Sequence, residues 1–362
     1  MTAAGGEAII LVTQKLFFVP QKLCRYPCVI MSLASLPSRF SRCPGDLIAL
    51  ALVVAALAGC NAPHASEAEA HSSPGTAAAR RYSGTYPIRA VATTGMVADL
   101  VKNVGGPHVA VTALMGEGVD PHLYKASPAD VSQLNRADII FYSGLHLEGK
   151  LAELLERMAE RKATIAVAER IDPAQVITDE HGARDPHVWF DVSLWSQAAG
   201  AVADALAEFD PDHAGDYRGR LADYQAQLAE LHTFAREQLA TVPAERRVLV
   251  TAHDAFHYFG RAYGVEVRGI QGISTDSEAG VRQVKELVDF LVERKIKAVF
   301  VETSVSDQNV RALLEGCQAR GHAVVIGGTL FSDAMGAADT PEGTYVGMVR
   351  HNIDTIVEGL RG

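Results

Sequence analysis

The tripeptide Asp-Pro-His occurs twice in this chain, at Asp120-Pro121-His122 and at Asp185-Pro186-His187. Proline fixes its own φ and keeps the residue before it extended, so each imidazole is presented from a stiff turn. A neutral imidazole is a common ligand for divalent metals, and the nearby Asp could accept the second ring N–H and set the tautomer. One such turn reads as an ordinary loop histidine; two in equivalent places read as paired metal ligands. His253, in Thr251-Ala252-His253-Asp254-Ala255-Phe256, and Asp333, which ends Gly327-Gly328-Thr329-Leu330-Phe331-Ser332-Asp333, would complete a set of three imidazoles and one carboxylate. Those donors suit Zn2+ or Mn2+, and no thiolate is at hand to favour a softer ion. Cys317 lies in the helical stretch NVRALLEGCQARG and reads as a small buried hydrophobe.

These side chains need a scaffold that gathers them. Short β-branched runs at 88–93, 109–114, 138–142 and 164–168 alternate with helix-length stretches, and a second set follows at 247–251, 265–270, 297–302 and 322–326. The pattern predicts an α/β fold: two four-stranded parallel-sheet lobes with helices on their faces. Between the sets, residues 211–240 carry Leu221, Tyr224, Leu228, Leu231 and Ala235 at three/four spacing, with Pro211 at the start and Pro243 just beyond the end. This predicts a single long helix joining the lobes. Both Asp-Pro-His turns, His253 and Asp333 follow strands, where parallel sheets carry their ligands, so the expected metal position is the interlobe cleft.

The N-terminal part has another character. Arg39 and Arg42 precede the apolar run Leu47–Ala58, which is too short to span a bilayer and fits a secretory signal. The run ends in Leu57-Ala58-Gly59-Cys60, which resembles a bacterial lipobox with Cys60 as the lipidated residue. Met31 would give a signal of ordinary length, so residues 1–30 read as an overlong start. The expected organisation is 1–59 signal, 60–86 lipidated Cys and flexible tether, 87–208 first lobe, 209–243 linking helix and 244–362 second lobe. The 362 residues are 48% hydrophobic and 21% charged, the balance of a globular protein. A net charge of −10 argues against nucleic acid as a partner. No phosphate-binding loop is present: Gly116-Glu117-Gly118 lacks the third glycine of a dinucleotide loop, and there is no Gly-Lys-Ser/Thr.

The stretches GEGVDPHLYKASPAD (116–130), DPHVWFD (185–191), TAHDAFHYFGRAYGVEVRGIQGISTDSEAG (251–280) and GGTLFSDAMG (327–336) resemble the TroA-like solute-binding receptors of zinc/manganese ABC importers, over essentially residues 87–362. The resemblance implies one metal held between the lobes by His122, His187, His253 and Asp333. It also implies a monomeric, extracytoplasmic lipoprotein that delivers its cation to a permease powered by a separate ATPase. Three features depart from the pattern. His257 stands where a small residue is expected, and reads as a surface or core histidine. The 177–184 loop (ITDEHGAR) has only His181 where zinc-dedicated relatives carry a long His-rich insert. The third ligand is His rather than the Glu of manganese-dedicated relatives. The last two cues pull in opposite directions on the choice of metal.

The two alternative functions are a zinc-dependent hydrolase and an adhesin-type surface lipoprotein. His253-Asp254-x-x-His257 superficially resembles the zinc-protease HExxH helix, but four protein ligands would leave no open position for a water. An adhesin-type surface lipoprotein is compatible with the anchor. Of the remaining histidines, His146 reads as packing near the cleft; Glu302, at a strand end, reads as a group that could back up Asp333 or orient a ligand.

Overall fold

The computed structural model describes residues 81–179 and 182–362. Cys60, the expected signal and most of the expected tether lie outside the described residues, as does His181. The Tyr82 N–H donates to the Phe209 carbonyl at 2.7 Å, and the Tyr86 hydroxyl donates to Asp210 at 2.8 Å. No helix among the described residues is long and apolar enough to cross a membrane.

The first lobe is a four-stranded parallel sheet of β1 (Ile88–Ala92), β2 (Val109–Ala113), β3 (Ile139–Tyr142) and β4 (Ala163–Ala166), in the order β2-β1-β3-β4. Ile88 pairs with Val109, Ala90 with Ile139 and Ile139 with Ala163. Its helices are α1 (Gly95–Gly105), α2 (Pro128–Arg136), α3 (Ala152–Ala159) and α4 (Val192–Phe209). Their starts follow local chemistry. Thr94 caps α1, Ser127 and Asp130 form a capping box around Pro128 in α2, and Asp191 caps α4.

The linking helix α5 runs over Ala214–Ala240, about 40 Å long. Its expected first turn, Pro211–His213, is a separate 3-10 turn. Leu221 is only half-buried, and the buried stripe instead extends through Tyr217 and Leu239.

The second lobe departs from expectation. Its strands β5 (Val248–His253), β6 (Glu266–Gln271), β7 (Ala298–Glu302) and β8 (Val325–Leu330) hydrogen-bond as two parallel pairs, β5-β6 and β7-β8, rather than as one four-stranded sheet. β5 and β7 are neighbours that share apolar packing through Val248, Val250 and Val299 without a ladder between them. Apolar patterning marks where strands are, but not which edges exchange hydrogen bonds. β8 also starts later and runs further than 322–326, so the Gly327-Gly328 pair lies inside the strand. Gly328 has φ +154°, and a Cβ there would meet the Thr355 methyl at 2.3 Å, because α9 (Tyr345–Arg361) packs directly on β8. The remaining helices are α6 (His257–Tyr263), α7 (Val281–Arg294) and α8 (Gln308–Ala319); Cys317 of α8 is fully buried and free.

One apolar core connects the lobes. It includes Ile88 and Phe141 of the first sheet, Trp195 of α4, Leu231 of α5, Met348 of α9, and Leu249, Phe300 and Leu330 of the second lobe. The lobes are therefore fused along their inner sides, and the site they form is enclosed rather than an open cleft.

Candidate metal centre

His122 and His187 reach the centre from the loops after β2 and β4, His253 is the last residue of β5, and Asp333 lies three residues beyond β8. All four sit at the carboxyl ends of parallel strands, the position where such folds collect ligands. Their donor atoms lie within 4.8 Å of one another, and all four residues are buried. His122 Nε2 is 3.4 Å from His187 Nε2, His187 Nε2 is 3.4 Å from Asp333 Oδ1, and His253 Nε2 is 3.2 Å from Asp333 Oδ2. An ion bound tetrahedrally at 2.0–2.1 Å separates its ligand atoms by about 3.4 Å. The spacing thus fits a single cation of zinc size.

The outer nitrogens of two of the rings are held by carboxylates. Glu302, at the end of β7, accepts the His253 backbone N–H at 2.9 Å and its Nδ1–H at 2.5 Å. Asp185 accepts the His187 backbone N–H at 3.0 Å and its Nδ1–H at 2.7 Å. Both rings therefore turn Nε2 inward in the tautomer a metal needs. What remains unpaired faces the centre: His253 Nε2 and both Asp333 oxygens are buried and accept or donate no hydrogen bond among the described residues. Only the nearby imidazoles of His187 and His253 offset the burial of the Asp333 carboxylate, and a cation at this point would engage its oxygens directly.

The charges are unevenly distributed. Burial pulls His122 down to about 4, despite the nearby Asp333. Burial also opposes charge on His187, but Asp185 and Asp333 outweigh it and carry that ring to about 9. His253 is likewise raised well above the histidine range, as Glu302 and Asp333 overcome its burial. Asp333 is held far below the carboxylate range because His253 and His187 outweigh its desolvation. The centre is therefore built to hold positive charge.

The structure brings together His122, His187, His253 and Asp333, and it gives Glu302 the orienting role expected of it. His146 lies in an exposed turn with φ +67° and is not among the four clustered donors. His257 is not a bystander: its Nδ1 lies 3.1 Å from Asp185 Oδ2. It also does not share a helical face with His253, because α6 begins only at His257, so the HExxH geometry is absent. Asp120 does not engage the His122 ring; it accepts the His122 backbone N–H at 2.9 Å and the Thr275 hydroxyl at 2.6 Å. Thr275 carries no signal of its own in the sequence beyond lying in the stretch 251–280.

The chain is 50% identical over 280 residues to the manganese-binding lipoprotein MntA of Bacillus subtilis, covering 77% of this chain and 92% of that protein. It is 52% identical over 270 residues to the zinc-binding protein TroA of Treponema pallidum, covering 75% and 88%. The solved structure of the periplasmic zinc-binding protein TroA from Treponema pallidum superposes with a TM-score of 0.74 at 51% identity, covering 75% of this chain and 99% of that one. A family model described as zinc-uptake complex component A, periplasmic, matches residues 90–359, and the chain belongs to that family, ZnuA.

Proposed function

We propose that this protein is the solute-binding component of a metal importer. It captures one Zn2+ or Mn2+ outside the cytoplasm through His122, His187, His253 and Asp333 and passes it to a membrane permease driven by a separate ATPase. The cation is cargo, not a catalytic cofactor. With four protein donors around it, no coordination position is left to activate a water, and the chain is read as a binding protein rather than an enzyme. The observation that carries this reading is the convergence of four buried donors, with both Asp333 oxygens and His253 Nε2 otherwise unsatisfied. Names of relatives that pair manganese or zinc with binding support it.

The same reading extends to the parts of the chain around the site. Residues 1–59 serve as the export signal, Cys60 carries the lipid, and the chain up to about residue 86 tethers a monomeric receptor made of 87–208, the linking segment 209–243 and 244–362. Elemental analysis of protein purified without added metal is expected to find close to one zinc or manganese per chain. Asp333→Ala is expected to remove it, since the substitution deletes the one anionic donor. Stoichiometric metal in the Asp333→Ala protein would overturn the assignment.

A further inference from the structure

The two Asp-Pro-His turns share a second arrangement that the tripeptide does not advertise. In each, Oδ1 of the aspartate accepts the backbone N–H of the histidine two residues on, at 2.9 Å for Asp120 and 3.0 Å for Asp185. In each, Oδ2 is taken by a donor from the opposite lobe: the Thr275 hydroxyl, beyond β6, at 2.6 Å from Asp120, and His257 Nδ1, at the start of α6, at 3.1 Å from Asp185. Thr275 and Asp185 are buried, and about a third of the His257 side chain is exposed. Other contacts stitch the same two seams. Lys150 pairs with Asp276 at 2.9 Å beside Thr275, and the Tyr258 hydroxyl, next to His257, donates to the Asp185 carbonyl at 2.8 Å.

We infer that Thr275 and His257 are positioning residues that latch the second lobe onto the aspartates bracing His122 and His187, so that contact between the lobes and alignment of the first-lobe ligands depend on the same hydrogen bonds. The inference rests on the cation-binding reading above. Each aspartate has one oxygen committed to its own turn and one to the facing lobe. When the facing donor is lost, a buried or half-buried carboxylate oxygen is left unsatisfied and the turn is free to rotate away from the metal. Hydrogen-bonded groups outside the ligand shell commonly matter for affinity in this way, at about tenfold or more when removed. Neither latch touches the cation. Their effect must therefore be felt mainly as faster release.

The test measures Zn2+ affinity and release with a chromophoric chelator in the wild-type protein and four variants. Thr275→Val keeps the shape without the hydroxyl, and Thr275→Ser restores it. His257→Ala removes the ring, and His257→Asn returns an N–H donor near the position of Nδ1. The expected result is that Thr275→Val and His257→Ala each weaken zinc binding about tenfold, through a faster release rate, and that Thr275→Ser and His257→Asn recover most of the loss. A merely space-filling role would not be rescued by Asn in place of His. Full affinity in both Thr275→Val and His257→Ala would overturn the inference, as would Ser and Asn variants that bind no better than Val and Ala. Wild-type protein that takes up no zinc or manganese would instead strike the cation-binding reading itself.

Discussion

The same three residues, Asp-Pro-His, produce two different ligands in one molecule. At the first turn Asp120 spends its oxygens on a backbone N–H and on Thr275, leaving the His122 ring without a carboxylate partner on its outer nitrogen. His122 retains 4% exposure and sits low, at about 4. At the second turn Asp185 holds the ring of His187 as well as its backbone, the residue has no exposure, and the ring sits at about 9. A local motif thus fixes the direction of an imidazole, while the surrounding elements decide its proton affinity and rigidity. The second turn reads as the anchor of the centre. The first is held by fewer contacts and keeps a trace of solvent exposure.

The contrast can be broken most strongly at the rings themselves. His187→Ala is expected to abolish zinc binding in isothermal titration, because no solvent reaches the vacated position. His122→Ala is expected to weaken binding without abolishing it, since water at the solvent edge can take the missing place. Equal losses would mean the two turns are equivalent. A smaller effect is expected one bond further out. Asp185→Asn removes the charge that steadies the His187 ring and is expected to cost about 10–100-fold in affinity, with Asp120→Asn costing less because Asp120 does not touch its ring.

The subtlest difference lies in the metal-free protein. His122 has a folded pKa below the ordinary 6.5, so the unfolded chain binds the extra proton between about 4 and 6.5. Its contribution to stability is complete above 6.5 and is lost as pH falls towards 4. His187 has a folded pKa above 6.5, so its contribution is complete below 6.5 and is lost as pH rises through about 9. NMR titration of the two ring signals in metal-free protein is expected to find them moving in separate pH ranges, His122 on the acid side and His187 on the alkaline side. Superimposed titrations would remove the electrostatic part of the comparison.

Much of the centre was legible because each donor has a local signature: a Pro-stiffened turn for His122 and His187, and a strand end for His253 and Asp333. The strands of both lobes and the linking helix were legible for the same reason, since periodicity is carried by neighbouring residues. Other features depended on residues far apart in the chain. Asp120 and Thr275 are 155 positions apart, and His257 meets Asp185 across 72, so neither pairing leaves a trace in the local sequence. The pairing of β5–β8 into two ladders belongs to the same class. The expected last strand ended at 326, before Gly327-Gly328; in the structure Gly328 lies within β8 and makes room for α9, and only the packed helix reveals that.

The apolar core that unites both lobes has a thermodynamic consequence. Ile88 in the first strand and Leu330 in the last belong to the same buried cluster, although each lobe also keeps a smaller apolar cluster of its own, around Leu134 and Ile140 in the first and around Val250 and Leu291 in the second. Melting of either lobe would strip apolar partners from the other across the shared cluster, so a cation gripped at the centre stabilises both lobes and not merely the loops that touch it.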